Sequence, residues 1–175
     1  MVEIGMNSGV AGHTCIEVIH MVLTQKETML LQDLKTGEQT CIDKYERYAA
    51  DACDRRLGSL FWELSTVERG HLAKICAVLE GKDVIDAGQA EQRPNDNFKK
   101  EPAYNAMSEG EDKNTDEYLC RDALQMEKHI SALYDTVIFE CTTQDLRDML
   151  GHIQKDEQNH GKRIYDYMSA NGMYS

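Results

Sequence analysis

Glu38, Glu68 and His71 recur 89 residues further on as Glu127, Glu157 and His160, and Tyr45 recurs at the same offset as Tyr134. Leu57, Leu64 and Ile75 map in the same way onto Leu146, Ile153 and Ile164. One constant offset that carries both polar and apolar positions marks an internal duplication, so the chain is expected to fold as two copies of one unit.

That unit reads as a helical hairpin. Thr24-Gln25-Lys26-Glu27 forms a capping box, and Leu31, Leu34, Cys41, Ile42, Tyr45, Ala49 and Ala52 follow at helical spacing, which predicts a helix over about 25–52. Asp54 can cap a second helix over about 55–80, with Leu57, Leu60, Phe61, Leu64, Leu72, Ile75 and Leu79 on one face and Gly81 as its stop. A third helix is expected to start near Asn114–Asp116 and to run over 115–141, carrying Leu119, Cys120, Ala123, Ile130, Tyr134, Val137 and Ile138. Thr142 or Thr143 can cap a fourth over 143–170, before Asn171-Gly172 closes it. Residues 82–113 lack an apolar period and hold the only two prolines, Pro94 and Pro102, so this stretch is a linker or crossover and the rest is free to be long helix. The expected fold is all-α: an antiparallel four-helix bundle over 24–175, built from a duplicated helical hairpin, behind an N-terminal segment 1–23. That segment has an apolar patch at 16–23 but no basic flank or cleavage site, and no stretch approaches ~18 apolar residues, so neither a signal peptide nor a membrane span is expected.

Four glutamates and two histidines interrupt the apolar stripes. Glu38 follows Leu31 and Leu34 on the first helix, Glu68 and His71 stand between Leu64 and Ile75, Glu127 follows Cys120 and Ala123, and Glu157 and His160 stand between Ile153 and Ile164. Each glutamate pair straddles its turn symmetrically, with both members roughly 22 Å from it at about 1.5 Å per residue, so they face each other at one level. Buried carboxylates without a counter-charge are expensive. Glu and His at i and i+3 share a helix face, and two Glu-x-x-His helices plus a Glu from each of the other two make the ligand set of a di-iron or di-manganese carboxylate bundle. The expected ligands are Glu38, Glu68, His71, Glu127, Glu157 and His160. By symmetry Glu68 and Glu157 would bridge two ions, each histidine would bind one, and Glu38 and Glu127 would be terminal. Four carboxylates also match two divalent ions in charge. Tyr45 and Tyr134, two turns beyond Glu38 and Glu127, are expected to hydrogen-bond a ligand carboxylate or to act as redox-active phenols. His13, His20, His129 and His152 lack such pairing and read as surface or structural residues, and Cys41 and Cys120 read as core residues bordering the site.

Thirty-one acids against 19 bases give a net charge of −12, which disfavours nucleic acid and anionic membranes and favours cations. Six widely spaced cysteines without a CxxC pair exclude zinc ribbons and rubredoxin-type iron centres, and suggest reduced thiols in a cytosolic setting.

The duplicated E-x6-Y…E-x-x-H pattern resembles the ferritin-like superfamily of rubrerythrins, bacterioferritins and manganese catalases. More narrowly, Lys44-Tyr45-Glu46-Arg47-Tyr48-Ala49 with Asp51-Ala52-Cys53-Asp54, and the run His152-Ile153-Gln154-Lys155-Asp156-Glu157-Gln158-Asn159-His160-Gly161 through Tyr167-Met168 and Asn171-Gly172-Met173-Tyr174, are similar to the spore coat F family of spore-forming Firmicutes. The resemblance implies a ferritin-like bundle with a connection crossing from end to end, and deposition in the spore coat of a protein otherwise expected in the cytoplasm. The rubrerythrin position three residues after the third-helix ligand, a glutamate there, is Ile130 here. The leading expectation is a di-metal protein, with two Fe ions or two Mn ions, that reacts with O₂ or peroxide. A homodimer and other spore coat proteins are the expected assembly partners. The alternative is a structural coat protein whose site only stabilises the bundle or is vestigial, with manganese catalase and iron storage as lesser options.

Overall fold

The computed structural model describes residues 22–82, 102–104 and 110–174, among which four helices and no strands are found. The expected N-terminal segment and most of the expected linker lie outside the described residues. Helix α1 spans Gln25–Asp51, α2 Arg55–Leu79, α3 Glu111–Glu140 and α4 Gln144–Ala170.

Local signals set most of these limits. The capping box at Thr24 forms: its side chain accepts from Glu27 N, and Glu27 Oε2 accepts from Thr24 N at 2.8 Å. Asp54 caps α2 through Arg56 N at 3.0 Å. Gly81 and Gly172 take left-handed φ of 76° and 61°, letting the amides of Lys82 and Met173 turn back to Ala77 O and Met168 O at 3.0 and 2.9 Å. The third helix departs from expectation. It begins at Glu111 behind an extended Gly110, a few residues before the expected Asn114–Asp116 start. No apolar period marks that first turn, but Glu111 and Asp112 favour it by meeting the helix dipole. Asp116 therefore lies inside α3 and caps nothing in its own helix. Its carboxylate instead accepts from Cys53 N and Asp54 N at 2.7 and 2.9 Å, at the α1–α2 turn.

The helices pack as a bundle, α1 against α2 and α3, α4 against α3 and, more lightly, α2. Lys26 pairs with Glu140, Tyr45 with Glu127 and Cys53 with Asp116, so α1 and α3 run antiparallel. Gly37 lets them close up, since a Cβ there would stand 2.5 Å from Ile130 Cδ1. The end of α2 lies with the α3–α4 turn, because Ile75 and Val78 share a core cluster with Cys141 and Leu146. The start of α3 lies at the other end, against the α1–α2 turn, so residues 82 and 110 stand at opposite ends of the bundle.

Two apolar clusters fill the interior, each drawn from all four helices. The 89-residue offset exchanges them. Tyr45, Leu57, Leu60, Phe61 and Leu64 of one map onto Tyr134, Leu146, Met149, Leu150 and Ile153 of the other, while Leu34, Ile75 and Val78 map back onto Ala123, Ile164 and Tyr167. Swapping of the two ends is what a pseudo-twofold axis across the bundle produces. The axis passes through a buried polar layer between the clusters.

Candidate metal centre

That layer consists of Glu38, Glu68, His71, Glu127, Glu157 and His160, all buried. Each helix contributes its share because a residue at heptad-like spacing on the apolar stripe must face the axis. The histidine Nδ1 atoms organise the geometry. His71 Nδ1 lies 3.0 Å from Glu68 Oε2, 2.9 Å from Glu157 Oε1 and 3.7 Å from Glu38 Oε2. His160 Nδ1 lies 3.0 Å from Glu68 Oε1, 3.6 Å from Glu157 Oε2 and 3.7 Å from Glu127 Oε1. Glu68 and Glu157 thus present one oxygen to each histidine, whereas Glu38 reaches only His71 and Glu127 only His160. The two imidazoles stack at 5.8 Å between centroids. Two overlapping groups result, Glu38-Glu68-His71-Glu157 and Glu68-Glu127-Glu157-His160, each with its donor atoms within 4.8 Å of one another.

Burial pushes the Glu38 and Glu127 carboxyls well above their ordinary range, and the charges of Glu157 and Glu68 push the same way. Glu68 is held well below its ordinary value despite burial, by His160 and His71. Both imidazoles are raised against the effect of burial by the carboxylates facing them. Without a cation the layer must therefore hold protons to balance its charge, and a bound cation would replace them. Glu38 Oε2, His71 Nε2, Glu127 Oε2 and both oxygens of Glu157 are buried without a well-directed hydrogen bond, Glu157 Oε1 meeting His71 Nδ1 only as an ion pair at 2.9 Å. Buried polar atoms are rarely left so, and the carboxylate oxygens among them lie in the two groups, where they fit a cation's needs. Hard carboxylate oxygens with one imidazole per position suit iron or manganese.

The tyrosines cross over. Tyr45 donates to Glu127 Oε1 and Tyr134 to Glu38 Oε1, each phenol holding the carboxylate of the other hairpin. Burial, then the facing carboxylates, push both phenols well above their usual range, so they remain donors. The sequence marks these tyrosines by position but not by partner, since the +7 spacing points to the same helix and the antiparallel α1–α3 contact supplies the other. Cys41 is buried beside the layer and its thiol is pushed up by burial and by the Glu68, Glu127, Glu38 and Glu157 charges, which leaves it a protonated core group. Cys120 is likewise buried in the core. His129 and His152 are exposed, and His13 and His20 lie outside the described residues.

Three contributors escape a reading of the stripes. Asp156, half-exposed, places Oδ2 3.6 Å from His71 Nε2, and Val67 stands at the matching position of the other hairpin, so nothing there repeats the pairing. Glu27 and Asp116 are themselves 89 residues apart and do the same work at opposite ends: Glu27 Oε1 accepts from Thr142 N at 2.8 Å, as Asp116 accepts from Cys53 N, and Cys53 and Thr142 share that offset too. Each hairpin thus clamps the other hairpin's turn with a buried acid in its first helix and fixes the level at which the glutamates meet. The offset itself is the signal that could have found them.

Among known proteins, residues 115–175 match the family model of the Coat F domain. The match covers about a third of the chain, taking in Glu127, Tyr134, Glu157 and His160 but not Glu38, Glu68 or His71. No curated protein and no solved structure matches the chain.

Proposed function

We propose that the chain is a ferritin-like di-metal carboxylate protein of the spore coat, holding two iron ions, or two manganese ions on the same ligands, and reacting with O₂ or peroxide. One observation carries the reading: six buried residues form two four-residue groups that share Glu68 and Glu157, each group containing carboxylate oxygens that make no well-directed hydrogen bond. Glu68 and Glu157, each of which faces both histidines, would be shared between the two ions, His71 and His160 would each hold one, and Glu38 and Glu127 would complete the two groups. Bound there, such ions supply a two-electron centre with open coordination positions. Tyr134 and Tyr45 orient Glu38 and Glu127 by taking one oxygen of each. The apolar clusters above and below keep bulk water from the layer. The spore coat setting rests on the Coat F domain match over residues 115–175. The same match supports a second reading, in which the layer only braces a structural coat protein.

Elemental analysis of protein made in iron- or manganese-supplemented medium tests the proposal. The expected content is about two metals per chain, falling below one in Glu68→Ala and in the closer-shaped Glu68→Gln. Less than about one metal per chain, unchanged by either substitution, sinks it. Full metal content without O₂ or peroxide turnover selects the structural reading.

A further inference from the structure

The two hairpins are not equivalent at the surface over the buried layer. A cleft of about 380 Å³ between α3 and α4 reaches down to Glu127 and Glu157, and Ser131, Asp135, Gln154 and Gln158 line its walls. Glu127 Oε2 and both oxygens of Glu157, buried and without a well-directed hydrogen bond, belong to residues that line it. Gln154 Nε2 donates to Ser131 O at 3.0 Å, tying the two walls together. Lys128 is the one base in the lining, against three acids.

The 89-residue offset gives the corresponding surface of α1 and α2, and there the same positions are filled differently. Ser131 becomes Ile42, only 4% exposed, and Gln154 becomes Ser65, fully buried. Gln158 becomes Arg69, and Asp135 becomes Glu46. The Arg69 guanidinium ion-pairs with Glu46, reaches Ser65 Oγ at 3.4 Å and lies 5.3 Å from the Trp62 ring centre. Lys128 and Ala132 become Gln39 and Asp43, which bond each other at 2.8 Å, so the α1–α2 face is polar at its rim, but among the described residues Ile42 and the pinned Arg69 stand where the cleft has Ser131 and Gln158.

We infer that divalent cations reach the buried layer through the α3–α4 cleft, with Ser131, Asp135, Gln154 and Gln158 as the lining, and that Ile42 and Arg69 seal the matching face of α1–α2. The inference rests on the metal-binding reading above. An aquated cation needs polar groups to exchange for its water and a way past the surface side chains; Ser131, Asp135, Gln154 and Gln158 offer both above Glu127 and Glu157, whereas Ile42 and Arg69 close the way on the other face. Arg69 would also repel a cation that approached from its side.

The test measures Co²⁺ uptake by metal-free full-length protein in a stopped-flow instrument, by its visible absorption, and the final Co²⁺ content after dialysis. Ser131→Ile with Gln158→Arg copies the sealed face onto the cleft. Gln158→Arg alone, at an exposed position, serves as the variant that cannot fail to fold for want of space. The double variant is expected to load at least about tenfold more slowly, the single variant several-fold more slowly, and both to reach the parent's final content. Arg69→Gln is expected not to slow loading. Uptake by the double variant at the parent's rate, or slowing by Arg69→Gln to the same degree, overturns the route while leaving the metal centre standing. A parent that takes up no Co²⁺ overturns both.

Discussion

A buried carboxylate survives in a fold only where something answers its charge, and this chain answers it in two ways. In the central layer Glu38, Glu68, Glu127 and Glu157 face two imidazoles and keep oxygens free. At the bundle end Glu27 is answered by hydrogen bonds. Burial pushes its carboxyl up, but donation from Thr142 and Thr24 outweighs this and brings it from 4.5 down to about 2. A group held below its unfolded value stabilises the fold above that value and loses the contribution as the pH falls through the folded one. Glu27→Gln puts an amide donor among donors, and is expected to cost about 1–3 kcal/mol at neutral pH. The gap between parent and variant should narrow as the pH falls from 4.5 toward about 2, measured by urea unfolding at a series of pH values. A gap that stays constant over that range would contradict the role given to Glu27.

At the scale of the helices, the hairpin is the unit and its turn is held by the other hairpin. Asp116 accepts from Cys53 N, Asp54 N and the Tyr104 hydroxyl at 2.7, 2.9 and 2.8 Å. Asp116→Ala is expected to speed amide exchange at Cys53 and Asp54 by about tenfold or more while leaving the middle of α4 unchanged, read by hydrogen exchange. Uniform acceleration across α4 would mean that the whole bundle had loosened and that Asp116 is no local clamp. These clamps mark the limit of what the stripes could tell. Periodicity exposes residues that face the axis, so Glu38, Glu68, His71, Glu127, Glu157 and His160 are legible from their spacing alone. The helices are legible within a residue or two wherever a cap or a glycine sets the boundary. The start of α3 is not, because its first turn, Glu111-Asp112-Lys113-Asn114, carries no apolar residue and is favoured by its acids against the helix dipole. Asp156 and the crossed tyrosine partners are not either, because they depend on how one helix is rotated against another.

For the molecule as a whole, the duplication sets the architecture and its imperfections set the differences between the halves. A twofold axis across the bundle brings two equal glutamate–histidine sets to one level, and the clusters on either side exchange under the same operation. Where the copies differ, as at Arg69 against Gln158 and Val67 against Asp156, the difference falls around the layer and not within it. No helix among the described residues is long and apolar enough to cross a membrane. The acidic balance of the chain divides between a solvated surface and four buried carboxylates whose need for a cation is the core of the proposal. Diffraction from crystals of iron-loaded protein at the iron absorption edge tests that need most directly. The predicted result is two anomalous peaks about 3.5–4 Å apart between the helices, one beside Nδ1 of His71 and one beside Nδ1 of His160, with Glu68 and Glu157 reaching both. An interior without a peak, its histidines bonded directly to the glutamates in protein kept in excess iron, would contradict the account.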